Sequence, residues 1–246
     1  MTLSPVPLRR RRTAAERTTG APTSSNGASA MHLWWDPDAP TNAMTAVTNV
    51  EATLEVIEPP SVDRLYFWAL QATFIDTRGR PVAGAHLGLQ WHGAHPGGTA
   101  VNWGGYRNDG SGRELDGDPS PLPSATGNAN TRDFRWRPHT PYRLRIDVDG
   151  TGSVTDLSTT ERTVVRRLHV AGAQALANAV VWSEVFADCD DPPTAVRWSD
   201  LEPRPRSARV TYQSFADGGC TNTENGFTQR TSTRRSTPEG PHPMAE

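Results

Sequence analysis

Apolar and polar residues alternate with period two along most of the chain from about residue 45 onward, most cleanly in "YRLRIDVDG". There Tyr142, Leu144, Ile146 and Val148 fall on one side, and Arg143, Arg145, Asp147 and Asp149 on the other. This is the pattern of a strand with one face in a core and one in water. In "RLYFWALQATFID" both sides carry bulk, with Tyr66, Trp68, Leu70 and Phe74 against Leu65, Phe67 and Ile75. That stretch predicts a central strand covered on both faces. "HLGLQWHG" and "TAVNWGGY" predict a hairpin closed by "AHPG", whose Pro and Gly suit a tight connection. Further strands are predicted in "AVTNVEATLEVI", "DFRWR", "TVVRRLHVAG", "NAVVWSEVFADC", "TAVRWSDL" and "ARVTYQSF", giving about ten in all. Only "GAQALANA" could hold a helical turn, whereas parallel βαβ units would need helical patterns between strands.

The economical solution is an all-β fold, an antiparallel two-sheet β-sandwich of jelly-roll type. Composition agrees: hydrophobic residues make up 35%, and 21 Gly and 21 Pro suit short strands joined by turns better than helix bundles. The expected organisation is a single β-sandwich domain over residues 31–233. A disordered Arg-rich leader over residues 1–30, or a start codon placed too early, would precede it, and a disordered tail over residues 234–246 would follow. The 24 residues from Asn108 to Thr131 contain almost nothing apolar, and a loop of that length in a compact domain is usually functional or disordered.

Charge and hydropathy each bear on one partner class. Residues 31–227 carry 17 Arg against 24 acidic residues, a net charge of −7, which argues against a nucleic-acid surface because phosphate affinity needs clustered positive charge. All 25 basic residues are Arg. Nothing approaches the 18 consecutive apolar residues of a helical membrane span. No apolar run of 7 to 15 residues follows the "LRRRR" head, so no signal peptide is read and localisation stays open.

Four groups of residues could carry chemistry. His86 and His92 share a strand face but lie about 20 Å apart along it, too far to share a zinc ion; only His92 and His95 could cooperate. Glu184 shares a face with Trp182 and Phe186 and is the one candidate for a catalytic role if the protein is an enzyme, with an ion pair to one of the many Arg residues as the favoured competing reading. Its same-face neighbour Asp188 is about 13 Å away, beyond the roughly 5 to 9.5 Å of a glycosidase pair, so a partner such as Asp147 or Glu51 would have to come from another strand. Asp188, Asp190 and Asp191 could offer oxygen ligands to calcium, but they lack EF-hand spacing and Asx turns account for them. No cofactor is expected. Cys189 and Cys220, the only cysteines, could bridge and would then imply an oxidising compartment.

The predicted hairpin offers a fourth group. Trp91 and Trp103 stand beside Gly93, Gly104 and Gly105, with Gln90, Asn102, His92 and His95 as hydrogen-bonding neighbours. An aromatic face next to amides suits sugar recognition, with Trp103 as platform, although core packing of both tryptophans is the competing reading.

"HLGLQWHG", "TAVNWGGY", "VVWSEVF", "VRWSDL" and "YQSFADGGCTNT" together resemble an uncharacterised family of bacterial, largely actinobacterial, extracellular proteins with a concanavalin-like jelly roll. The resemblance covers residues 31 to about 233. It implies the fold, an extracellular location and a leaning toward glycans, with no activity or catalytic residue to carry over. The expected function is therefore a non-enzymatic β-sandwich module that binds carbohydrate or another surface polymer. A glycan-active enzyme, glycosidase or lyase, with carboxylates from different strands is the alternative, and a structural or interaction protein without a small ligand is the second. Oligomeric state is not readable.

Overall fold

The computed structural model describes residues 29–37, 47–186, 192, 194–213 and 227–231, with side chains described for 32–35, 47–186, 192 and 194–204. These residues form two stacked sheets. In spatial order the larger sheet holds β12 (Pro205–Gln213), β1 (Ser29–Pro37), β10 (Ala175–Val185), β3 (Tyr66–Ile75), β4 (Pro81–Trp91), β5 (Thr99–Arg107) and β6 (Thr131–Asp133). The smaller holds β13 (Phe227–Thr231), β11 (Thr194–Glu202), β2 (Asn49–Glu58), β7 (Pro141–Asp147), β8 (Thr151–Asp156) and β9 (Glu161–Arg167). Among the described residues the only helical turn is Pro96–Gly98, and β11 with β13 is the only parallel pair. The protein is an all-β sandwich of jelly-roll type.

The core lies between the sheets and is built by the predicted parity. Tyr66, Trp68, Leu70 and Phe74 of β3 point inward and are fully buried, and Tyr142, Leu144 and Ile146 of β7 meet them from the other sheet. Two of the buried indoles find backbone acceptors: Trp136 Nε1 donates to Gln90 O at 2.9 Å, and Trp103 Nε1 donates to Gly150 O at 3.1 Å, whereas the indole N–H of fully buried Trp198 has no hydrogen-bond partner among the described residues. Trp103 also explains one glycine, because a Cβ at Gly152 would sit 2.7 Å from its ring.

Several elements depart from expectation. "GAQALANA" holds no helix; β10 begins there, with Leu176 and Ala177 paired to Phe74 and Thr73 of β3. β1, β8 and β13 fall outside the predicted strands. β1 begins at Ser29. The Asn108–Thr131 segment, poor in apolar residues, is ordered by hydrogen bonds instead. Leu115 N donates to Gly105 O, Asp118 N donates to Arg167 O, and His169 N donates to Asp116 O, each at 2.8 Å. The segment thus runs from the edge of β5 to the edge of β9 and closes one side of the sandwich. Arg166, 6% exposed, fixes it by donating to Ala129 O at 2.8 Å.

The outer face of the smaller sheet is a charge ladder. Glu51 accepts from Arg143 and Arg145, and Asp147 accepts from Arg145 through Nε at 2.9 Å and a terminal nitrogen at 2.6 Å. Arg162 and Asp200 extend the ladder at 3.7 and 3.6 Å.

Candidate functional site

The outer face of the larger sheet differs in kind. Outward-pointing positions follow from the register and fall into rows across the strands. One row runs Glu184, Phe67, Gln90, Ala100 and Asp133; the next runs His32, Trp182, Ala69, Gly88, Asn102 and Thr131. A third runs Trp34, Val180, Gln71, His86 and Gly104; a fourth runs Thr73, Gly84 and Tyr106. Small residues in the middle of these rows leave a trough between larger neighbours.

That trough is a groove of about 510 Å³ lined by His32, Phe67, Gln71, His86, Tyr106, Arg107, Asn108, Trp182 and Glu184. Its floor is a second apolar cluster, separate from the core, of Phe67, Ala69, Val180 and Trp182, with Trp34 packed against it. Phe67 and Trp182 meet edge to face at 4.8 Å between ring centroids. His86 packs against both, at 5.6 Å from Phe67 and 5.7 Å from Trp182, and His32 stacks on Trp34 at 6.0 Å. Trp182 Nε1 donates to Gln71 Oε1 at 3.0 Å, which fixes the amide beside His86. Tyr106, 50% exposed, stands at the rim diagonally from His86 and is the only large aromatic exposed among the described residues. Desolvation among the rings pushes the His86 imidazole down to about 4 and lowers His32 as well, so both are neutral near pH 7.

The hairpin expected to carry a ligand does not form a platform. Trp103 is 0% exposed and lies in the core. Strand parity alone places it opposite Asn102, whose amide is buried and donates to Thr131 Oγ1 at 2.8 Å. Trp91 turns to the core edge, with Nε1 donating to Val62 O at 3.0 Å and its ring covering Gly98. Gln90 is buried. His92 Nδ1 accepts from Ala94 N at 3.1 Å, and buried His95 places Nδ1 2.6 Å from Asp133 Oδ1, a contact that holds Asp133 below the usual carboxylate range. The rings of His92 and His95 do meet, at 5.9 Å, but each has a protein partner. No group of metal-ligating residues occurs among the described residues.

Of the candidate residues singled out in the sequence, Glu184 and His86 line the groove. Glu184 cannot pair with Glu51 or Asp147, which lie on the outer face of the other sheet and are bound to arginine. Asp188, Asp190, Asp191, Cys189 and Cys220 lie outside the described residues. The residues that sequence reasoning passed over are Gln71, Tyr106, Arg107, Asn108 and Trp182. Tyr106 was within reach, since parity along "NWGGY" puts it with Asn102 and Gly104, away from Trp103.

No family model matches the chain and no curated protein matches it, so the family resemblance rests on its motifs alone. Among solved structures, scytalido-glutamic peptidase with a transition state analog inhibitor is similar at 14% identity over 75% of this chain and 86% of that one, with a TM-score of 0.40. The CBM2 module of the evolved Dit of Lactobacillus casei BL23 phage J-1 matches at 12% over 74% and 66%, TM-score 0.39. An alginate lyase from a Chlorella virus matches at 13% over 78% and 86%, TM-score 0.31. At these values the likenesses assign no chemistry to any residue here.

Proposed function

We propose that this protein binds a segment of carbohydrate polymer in the groove on the outer face of its larger sheet. The observation that carries this reading is the placement of Tyr106, an exposed aromatic standing over a groove whose floor is aromatic and whose walls offer amides, imidazoles and a guanidinium. An apolar surface with a few oriented polar groups is what a saccharide ring requires, because its C–H faces stack while its hydroxyls bond. Gln71, Asn108 and the two neutral imidazoles supply donors and acceptors without a charge to desolvate. The groove lies on an overall acidic body, which disfavours nucleic acid as the polymer.

The reading is tested by titration calorimetry against linear oligosaccharides from a neutral β-1,4-glucose series and an acidic β-1,4-mannuronate series. Binding by one series should weaken at least tenfold in Tyr106→Ala, with an unchanged melting temperature. Undiminished binding by the variant, or no binding by either series, would overturn it.

A second reading is favoured by one cluster. Gln71 and His86 are cross-strand neighbours, and Tyr106, Arg107 and Asn108 stand at the same corner of the groove. On a uronic acid sugar this set suits elimination, with Arg107 and the amides facing the carboxylate, His86 accepting the proton alpha to it and Tyr106 protonating the departing oxygen. A glycosidase reading is less well supported, since Glu184 is the only carboxylate among the described residues lining the groove. Growth of ultraviolet absorbance from an unsaturated product, abolished in His86→Gln, tests for elimination.

A further inference from the structure

A second cavity of about 530 Å³ lies at the end of the sandwich, between the starts and ends of the β4–β5 hairpin, the β7–β8 turn and the residues that follow β9. Its floor is apolar, with Leu115 and Leu168 buried and Val148 and Val170 packed against the core. Its polar rim is already oriented by internal hydrogen bonds. Arg167 Nε donates to Asp149 O at 3.0 Å, Asp149 accepts from Thr151 N at 2.9 Å, and His169 Nε2 lies 2.6 Å from Asp118 Oδ1. A cavity of this size with an apolar floor and a few fixed polar groups is of ordinary ligand-binding dimensions.

The end cavity is not isolated from the groove, because Arg107 lines both. Residues 106–108 form the ridge between them, and the ridge is held from two sides. Arg107 N donates to Arg113 O at 2.9 Å, and Asn108 N donates to Val82 O at 3.0 Å. The Arg107 guanidinium itself is loosely held, meeting Asp116 at 3.4 Å with both side chains exposed. It can therefore turn toward a ligand crossing the ridge at little cost.

We infer that the end cavity is a second subsite for the same glycan, so that a linear polysaccharide seated in the groove crosses the ridge past Arg107 and ends between the β7–β8 turn and His169. This rests on the glycan reading of the groove and adds to it a preference for chain length. Two cavities of similar volume joined at one residue gain affinity by linkage, since a chain already held in the first presents its next residues to the second at high effective concentration.

Titration calorimetry with oligosaccharides of two to eight residues, from whichever of the neutral and acidic series binds, tests this on the full chain. Affinity should rise at least tenfold between oligomers that fill the groove alone and those long enough to reach the end cavity. Ala171→Trp, at an exposed position lining that cavity, should abolish the rise and leave short oligomers unaffected. Arg167→Gln should reduce the rise without changing the melting temperature. Affinity that is flat with length, or a rise that survives Ala171→Trp, overturns the second subsite while the groove reading stands. Absence of binding at every length overturns both.

Discussion

Tyr106 and Trp103 lie three residues apart on one strand and are expected to behave in opposite ways. Tyr106→Ala removes a half-exposed ring, so binding should fall while stability stays within about 0.5 kcal/mol, the usual range for surface substitutions. Trp103→Ala should cost about 3–5 kcal/mol, because it empties a core position and strands the Gly150 carbonyl. Urea unfolding of the two variants checks this; a stability loss at Tyr106 equal to that at Trp103 would remove the distinction. His86 makes a second prediction at this scale. Its imidazole titrates near 4 in the fold against 6.5 unfolded, so below pH 6.5 the unfolded chain binds the extra proton. Stability should therefore be complete above pH 6.5 and decline as pH falls toward 4, by on the order of 2 kcal/mol from this group. His86→Gln should flatten that part of the profile, and an unaltered slope would show that His86 is not its source.

At the scale of elements, parity within each strand was legible in the sequence, and the inward faces of β3 and β7 follow it residue by residue. Which face of β3 meets the core was not legible, because Phe67 and Ala69 make the outer side nearly as apolar as the inner. The glycines beside Trp91 and Trp103 read in the sequence as open space for a ligand. They instead admit close protein neighbours: a Cβ at Gly105 would run into Gly84 O, one at Gly93 into the Asp63 carboxylate and one at Gly104 into the Asn130 amide. The long Asn108–Thr131 segment was unreadable on other grounds, since backbone carbonyls and Arg166 hold it, with Leu115 and Leu122 its only leucines on the core. Arg166→Met should release it locally. Amide exchange at Leu115 and Asp118 should quicken at least tenfold while Trp68 and Leu87 keep their protection. Uniform quickening would mean that Arg166 supports the whole fold.

The two outer faces give the molecule its polarity. On the smaller sheet Glu51 and Asp147 are occupied by Arg143 and Arg145, which leaves a self-satisfied surface, while the larger sheet carries an aromatic cluster that no core requirement explains. The sandwich was legible because its alternation is nearly continuous. The order of strands was not, since β1 lies between β10 and β12, which are distant in sequence. The placement of Glu184 away from Glu51 and Asp147 followed only once that order was known. Ligand is expected to enter the groove on the larger sheet and not the β4–β5 hairpin tip, and the histidines report on both places. Nuclear magnetic resonance of the imidazole groups during titration with the oligosaccharide series distinguishes them. Resonances of His86 and His32 should shift with saturation while those of His92 and His95 stay fixed; shifts confined to His92 and His95 would contradict the claim.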